Sequence, residues 1–153
     1  MQKITPFLWF NGEAEEAMNH YMSIFPDSSV SSVSRNPPGA PGPEGQVLVA
    51  SFTLNGQPFT ALNGGPAYQF TEAISLMIDC ASQEEVDHYW ERLSEGGQKG
   101  KCGWLKDKFG LSWQVVPSAL GRLMSDPAKA GKVMPVMMGM TKLDIAALEA
   151  AGQ

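Results

Sequence analysis

Histidine and cysteine are scarce in this chain: there are two of each in 153 residues. That leaves little material for a disulfide framework or a thiol-rich metal site. Cys80 and Cys102 lie far apart and fit reduced thiols of a cytoplasmic protein. Cys80 closes an apolar run and reads as core, and Cys102, with no histidine near it in sequence, reads as a small hydrophobe. Positive charge is also in short supply. Eleven Lys and Arg face sixteen Asp and Glu, the net charge is −5, and no basic run exists. This argues against nucleic acid and against an anionic membrane as partner. No apolar run approaches the roughly 20 residues that cross a bilayer. The N-terminus carries no apolar segment followed by a cleavage site.

What is present is a set of short patterned segments. ITPFLWF (4–10) is apolar and aromatic and predicts a buried strand. Asn11-Gly12 ends it. Residues 13–25 place Ala14, Ala17, Met18, Tyr21, Ile24 and Phe25 at helical spacing, with acids in the first turn where the helix dipole favours them. Residues 28–35 read as an edge strand. PPGAPGPEG (37–45) cannot form regular structure and reads as a mobile hairpin loop. Two strands, 46–54 and 57–63, flank the hairpin signal Asn55-Gly56.

After the linker GGPAYQF (64–70) the order begins again. Residues 73–80 form an apolar strand. Ser82 and Glu85 make a capping box for a helix whose buried stripe is Val86, Trp90 and Leu93. Three short strands follow. The last two form the hairpin CGWLKDKFGLSWQVVP (102–117), turning at Asp107 and Gly110. Its second strand alternates: Leu111, Trp113 and Val115 on one face, Ser112, Gln114 and Val116 on the other. Gln114 either bonds neighbouring backbone or lines a pocket, since a buried amide must find partners. The repeated element order is echoed locally, Glu15-Glu16 with His20-Tyr21 against Glu84-Glu85 with His88-Tyr89. A period near seventy residues means duplication into two modules. The paired glutamates are adjacent, not convergent, and read as helix N-terminal charge. Both histidines fall in covering helices and read as boundary residues.

Two βαβββ modules, carrying ITPFLWF, EEAMNHY, LNGGP, EAISLMIDC, QEEVDHYW and CGWLKDKFGLSWQVVP, resemble the PhnB-like branch of the vicinal oxygen chelate (glyoxalase/bleomycin-resistance) superfamily. That branch often bears the label 3-demethylubiquinone-9 3-methyltransferase. The resemblance implies an α+β fold of two curled mixed sheets, each a half-barrel, with helices outside and a C-terminal helical extension. The expected divisions are module one at 1–66, module two at 67–117 and a tail at 118–153. It also implies a homodimer. In the superfamily four inward side chains can hold a divalent cation. Those positions fall here on Pro6, on about Ser75, near Ala61 to Asn63, and on Gln114. Only Gln114, and weakly Asn63, remain as donors, so no metal or other cofactor is expected.

The reading is a small-molecule-binding cytoplasmic protein of this type without an intact ligand set. Its expected lining residues are Trp9, Phe52, Asn63, Ser75, Trp104, Ser112 and Gln114. Alternatives are a metal-dependent lyase, isomerase or dioxygenase, a methyltransferase as the label says, or a structural dimer without ligand. Methyl transfer lacks sequence support: Gly64-Gly65-Pro66 is followed by a strand rather than by the helix of a nucleotide-binding turn. In the tail, 118–125 reads as a helix and KVMPVMMGM (132–140) as methionine packing against core or partner. Thr141 is expected to cap a last helix.

Overall fold

A computed structural model describes residues 3–153. The chain divides into two compact units, one ending at Phe70 and the other spanning Thr71–Gln153. The first contains β1 (Phe7–Phe10), α1 (Ala14–Ile24), β2 (Ser28–Arg35), β3 (Val47–Leu54) and β4 (Gln57–Asn63). The second repeats the order with β5 (Leu76–Cys80), α2 (Gln83–Ser94), β6 (Gln98–Lys99), β7 (Trp104–Lys106) and β8 (Ser112–Pro117). Three further helices follow it, α3 (Ser118–Met124), α4 (Pro127–Met138) and α5 (Ile145–Ala151). Each unit has one open four-stranded sheet, ordered β1-β4-β3-β2 and β5-β8-β7-β6. In each, the first strand pairs parallel to the last and the other pairings are antiparallel. The fold is α+β, as expected.

One face of each sheet is buried under its helix. In the first unit Leu8, Phe10, Ala50, Phe52, Phe59 and Ala61 are buried with Ala17, Met18 and Tyr21 of α1. In the second, Trp113 and Val115 are buried together with Val86, Trp90 and Leu93 of α2. The predicted cap forms, with Ser82 Oγ accepting from Glu85 N at 3.2 Å; the reciprocal bond of the box is shifted by one residue, Glu85 accepting from Ala81 N at 3.0 Å rather than from Ser82 N. The two His-Tyr echoes are also alike, His20 lying 5.9 Å from the Tyr21 ring and His88 4.9 Å from that of Tyr89.

Three expectations need correction. The first strand starts at Phe7, not at residue 4, and Ile4 is 85% exposed. Thr60 N donates to Pro6 O at 3.0 Å. The next rungs of a parallel ladder would need N–H donors from Pro6 and Pro58, and proline has none. The fifth strand likewise starts at Leu76 instead of residue 73. Its partner strand runs out there, because the backbone of Leu111 is engaged by Asp107. The last helix is capped by Asp144, which accepts from Ala147 N at 3.0 Å. Thr141 lies three residues before that cap, and its backbone carbonyl accepts from Gly103 N at 2.8 Å.

The tail is tied to its own unit. Cys102 N donates to Met140 O at 2.9 Å, and Gln83 both donates to Leu143 O and accepts from Ile145 N. Val133, Leu143 and Leu148 form its core, with Met137 and Met140 packed on them. Met134 and Met138 point outward. The loop at 37–45 is pinned at its neck by Asn36, whose backbone bonds Gln46 and Gly45 and whose amide donates to Pro43 O at 3.0 Å.

Candidate functional site

The hairpin of β7 and β8 builds the richest polar face in the second unit. Asp107 fixes its turn. Buried to 2% exposure, its carboxylate accepts from Phe109 N, Leu111 N and the Trp113 indole N–H, all at 2.9–3.0 Å. Gly110 supplies the positive φ, at 87°. This sets the register Trp104↔Gln114, Leu105↔Trp113 and Lys106↔Ser112. Trp113 and Leu105 then face the helix, so Trp104, Lys106, Ser112 and Gln114 share the opposite face. From the other side β5 brings Met77 opposite Gln114, and Ser75 one residue before the strand. Gln114 Nε2 donates to Ser75 Oγ at 3.0 Å.

Four of the seven expected lining residues, Ser75, Trp104, Ser112 and Gln114, therefore occupy one face of one sheet. A cavity of about 150 Å³ opens on it, lined by Trp104, Lys106 and Ser112 with Glu72, Lys99 and Gly100 among others. Glu72 and Lys106 form an ion pair there. The bond from Lys106 holds the Glu72 carboxyl below its ordinary range, helped by a backbone N–H. Ser112 is 1% exposed, and its hydroxyl has no hydrogen-bond partner among the described residues. Gly100 is needed for the close approach that shapes the rim, since a Cβ there would lie 2.7 Å from Trp104 O.

Trp9 belongs to the first unit and lies on the face of its sheet away from α1. Its indole N–H donates to Gly65 O at 2.9 Å, and its ring meets Tyr68 edge-on at 4.8 Å. Gly64 lies beneath it, where a Cβ would come within 2.4 Å of the ring. Phe52 and Asn63 are placed otherwise than expected. Phe52 is 1% exposed on the helix side, stacked on Phe59 at 5.8 Å. Asn63 is a structural residue: its carbonyl accepts from Ala14 N at the start of α1, and its amide donates to Val47 O at 2.8 Å. It does for α1 what Glu13, the N-cap without a side-chain bond, does not.

Lys106 and Glu72 escaped the sequence reading. Lys106 was within reach, because it shares a face with Trp104 two residues away. Glu72 lies in irregular backbone before β5, where no period marks it. Of the positions that the superfamily resemblance assigns to a metal, Pro6 offers only its backbone carbonyl, already bonded to Thr60, and Asn63 is spent on α1. Ser75 and Gln114 bond each other. Among the described residues no group of three or more His, Cys, Asp or Glu side chains comes together. A neutral amide and a hydroxyl do not make a tight divalent site. Cys80 is buried, which pushes its thiol up to about 12 and leaves it inert at neutral pH.

Comparison with known proteins agrees with this architecture. Residues 2–116 match the family model described as 3-demethylubiquinone-9 3-methyltransferase. A PhnB protein from Bacillus cereus, described by the same name, is 42% identical; the match covers 76% of this chain and all of that one, with a TM-score of 0.73. Protein PA1353 from Pseudomonas aeruginosa is 22% identical over 76% of this chain and 98% of its own, with a TM-score of 0.64. The fosfomycin resistance protein FosX from Listeria monocytogenes, solved with Mn(II) and sulfate, is 16% identical over 75% and 92%, with a TM-score of 0.56, and shares the fold alone. No curated protein matches the sequence. The chain thus belongs to the 3-demethylubiquinone-9 3-methyltransferase, or PhnB-like, family, built on the glyoxalase/bleomycin-resistance fold.

Proposed function

We propose that the protein binds a small molecule on the open face of the β5–β8 sheet, without a tightly held metal. The observation that carries this reading is that Ser75, Trp104, Lys106, Ser112 and Gln114 share one face, where Trp104, Lys106 and Ser112 line a cavity and Ser75 and Gln114 lie outside its lining. A concave site with an aromatic wall and a few placed polar groups is what small-ligand recognition requires. The donor set argues for binding without metal, since the superfamily positions hold Pro6, Ser75, Asn63 and Gln114.

Methyl transfer is set aside. Each sheet has a single parallel pair, and Gly64-Gly65 leads into irregular chain rather than into a helix N-terminus that could hold a nucleotide. The natural state is a homodimer, a reading supported by apolar side chains left exposed, such as Phe7, Ile74 and Met77.

Native mass spectrometry of the protein as purified, with metal analysis after dialysis, tests the proposal. The expected result is a small organic adduct and substoichiometric divalent metal. Stoichiometric metal retained through dialysis and lost in Gln114→Ala would overturn it in favour of a metal-dependent enzyme.

A further inference from the structure

The cavity beside Trp104 holds two observations that packing does not account for. One is the Ser112 hydroxyl, almost fully buried with no partner among the described residues, although a buried hydroxyl ordinarily finds one. The other is an ion pair of opposite charges, Glu72 and Lys106, which line the same cavity as Ser112 and stand between that cavity's opening and a hydroxyl that has no surface of its own. Lys106 stands directly across the hairpin from Ser112.

We propose that this cavity is a subsite for a small zwitterion of the α-amino acid type, its carboxylate held by Lys106 and Ser112 and its ammonium by Glu72. The proposal rests on the small-molecule reading above and names the ligand's chemistry. A zwitterion exchanges one direct ion pair for two ligand-mediated ones, so neither Glu72 nor Lys106 loses its counter-charge. A simple anion would meet the Glu72 carboxylate, and a simple cation would meet Lys106. Separating the pair admits the ligand's carboxylate to Ser112 Oγ, which then donates the hydrogen bond it otherwise lacks. Lys99 also lines the cavity, with its ammonium paired to Glu91 at 3.4 Å. At about 150 Å³ the cavity is small, which favours a compact ligand such as glycine or alanine over a larger one.

Calorimetric titration of the full chain with glycine, L-alanine, acetate and methylammonium tests this. Glycine or L-alanine should bind at least tenfold more tightly than either single-charge probe. Ser112→Ala, a change small enough to leave the fold intact, should weaken that binding roughly tenfold. Glu72→Gln should shift the preference toward acetate. Acetate binding as well as glycine would overturn the zwitterion assignment, as would glycine binding unchanged by Ser112→Ala. Failure of all four probes also overturns it. A native adduct that persists in Ser112→Ala but is lost in Gln114→Leu would then leave the broader binding reading standing. Absence of any adduct as well would remove both.

Discussion

Gln114 and Trp113 are neighbours in sequence with opposite surroundings. Trp113 is 2% exposed and spends its indole N–H on Asp107, whereas Gln114 is half-buried and bonded to the Ser75 hydroxyl. Trp113→Ala should cost on the order of 3–5 kcal/mol, from the cavity and from the carboxylate deprived of a donor. Gln114→Leu should cost under about 1 kcal/mol, since Ser75 sits on the open face and can turn to solvent. Chemical denaturation of both variants checks the ranking, and its reversal would mean that the two faces of β8 are exchanged. Both roles are legible in the sequence because period two in a strand decides sides without any tertiary knowledge. Asn63 was not legible in this way. Its amide serves Ala14 and Val47, 49 and 16 residues away, and nothing local distinguishes an asparagine facing a helix from one facing a ligand. Asn63→Ala should cost about 1–3 kcal/mol, in the range of a lost cap plus a buried bond, read by thermal unfolding.

Elements were legible where their signals are local and obscure where partners set their ends. Ser82 with Glu85, Asn55-Gly56, and Asp107 with Gly110 each fixed a helix start or a turn from a few residues. The starts of β1 and β5 depend instead on whether a distant strand still offers donors, so apolar runs overestimated both. The tail shows the same limit, because Thr141 and Asp144 are both cap-forming residue types and only the position where α5 begins, at Ile145, chooses Asp144. Gln83 is one clamp between α2 and this tail, bonded at both ends of its amide to Leu143 and Ile145, beside the exposed Asp87–Lys142 ion pair. Gln83→Ala should release it locally, by about 1–3 kcal/mol for the two bonds. The expected signature is faster hydrogen exchange over 140–151 with β8 unchanged; equal acceleration of β8 would mean that tail and sheet unfold as one. The loop at 37–45 is exposed at its tip and held at its neck by Asn36 and by Arg35, which donates to Gly45 O at 3.0 Å. A nonspecific protease should cut there first, near Gly39 to Gly42. A first cut in α4 or α5 instead would mean that the loop is held by a partner.

At the scale of the whole chain, duplication was legible from element order and from the echoed His-Tyr pairs. The first compact unit includes the linker, through Trp9 on Gly65 and Phe10 on Phe70, and ends at Phe70. Sedimentation should find a dimer, and Met77→Lys, which puts charge on an exposed apolar position of β5, should weaken it. A monomer at every concentration would contradict the homodimer reading. The parallel pairing of first strand with last, β1 with β4 and β5 with β8, also has a consequence for synthesis. Neither sheet can close until its final strand has left the ribosome, however early its helix forms, because the strand that binds the first is the last one made. The first unit can mature once residue 63 is free, while β5 waits unpaired for residue 117. A nascent chain stalled between those points should therefore carry one protease-resistant unit followed by a sensitive segment, and resistance in the second unit should appear abruptly when β8 emerges.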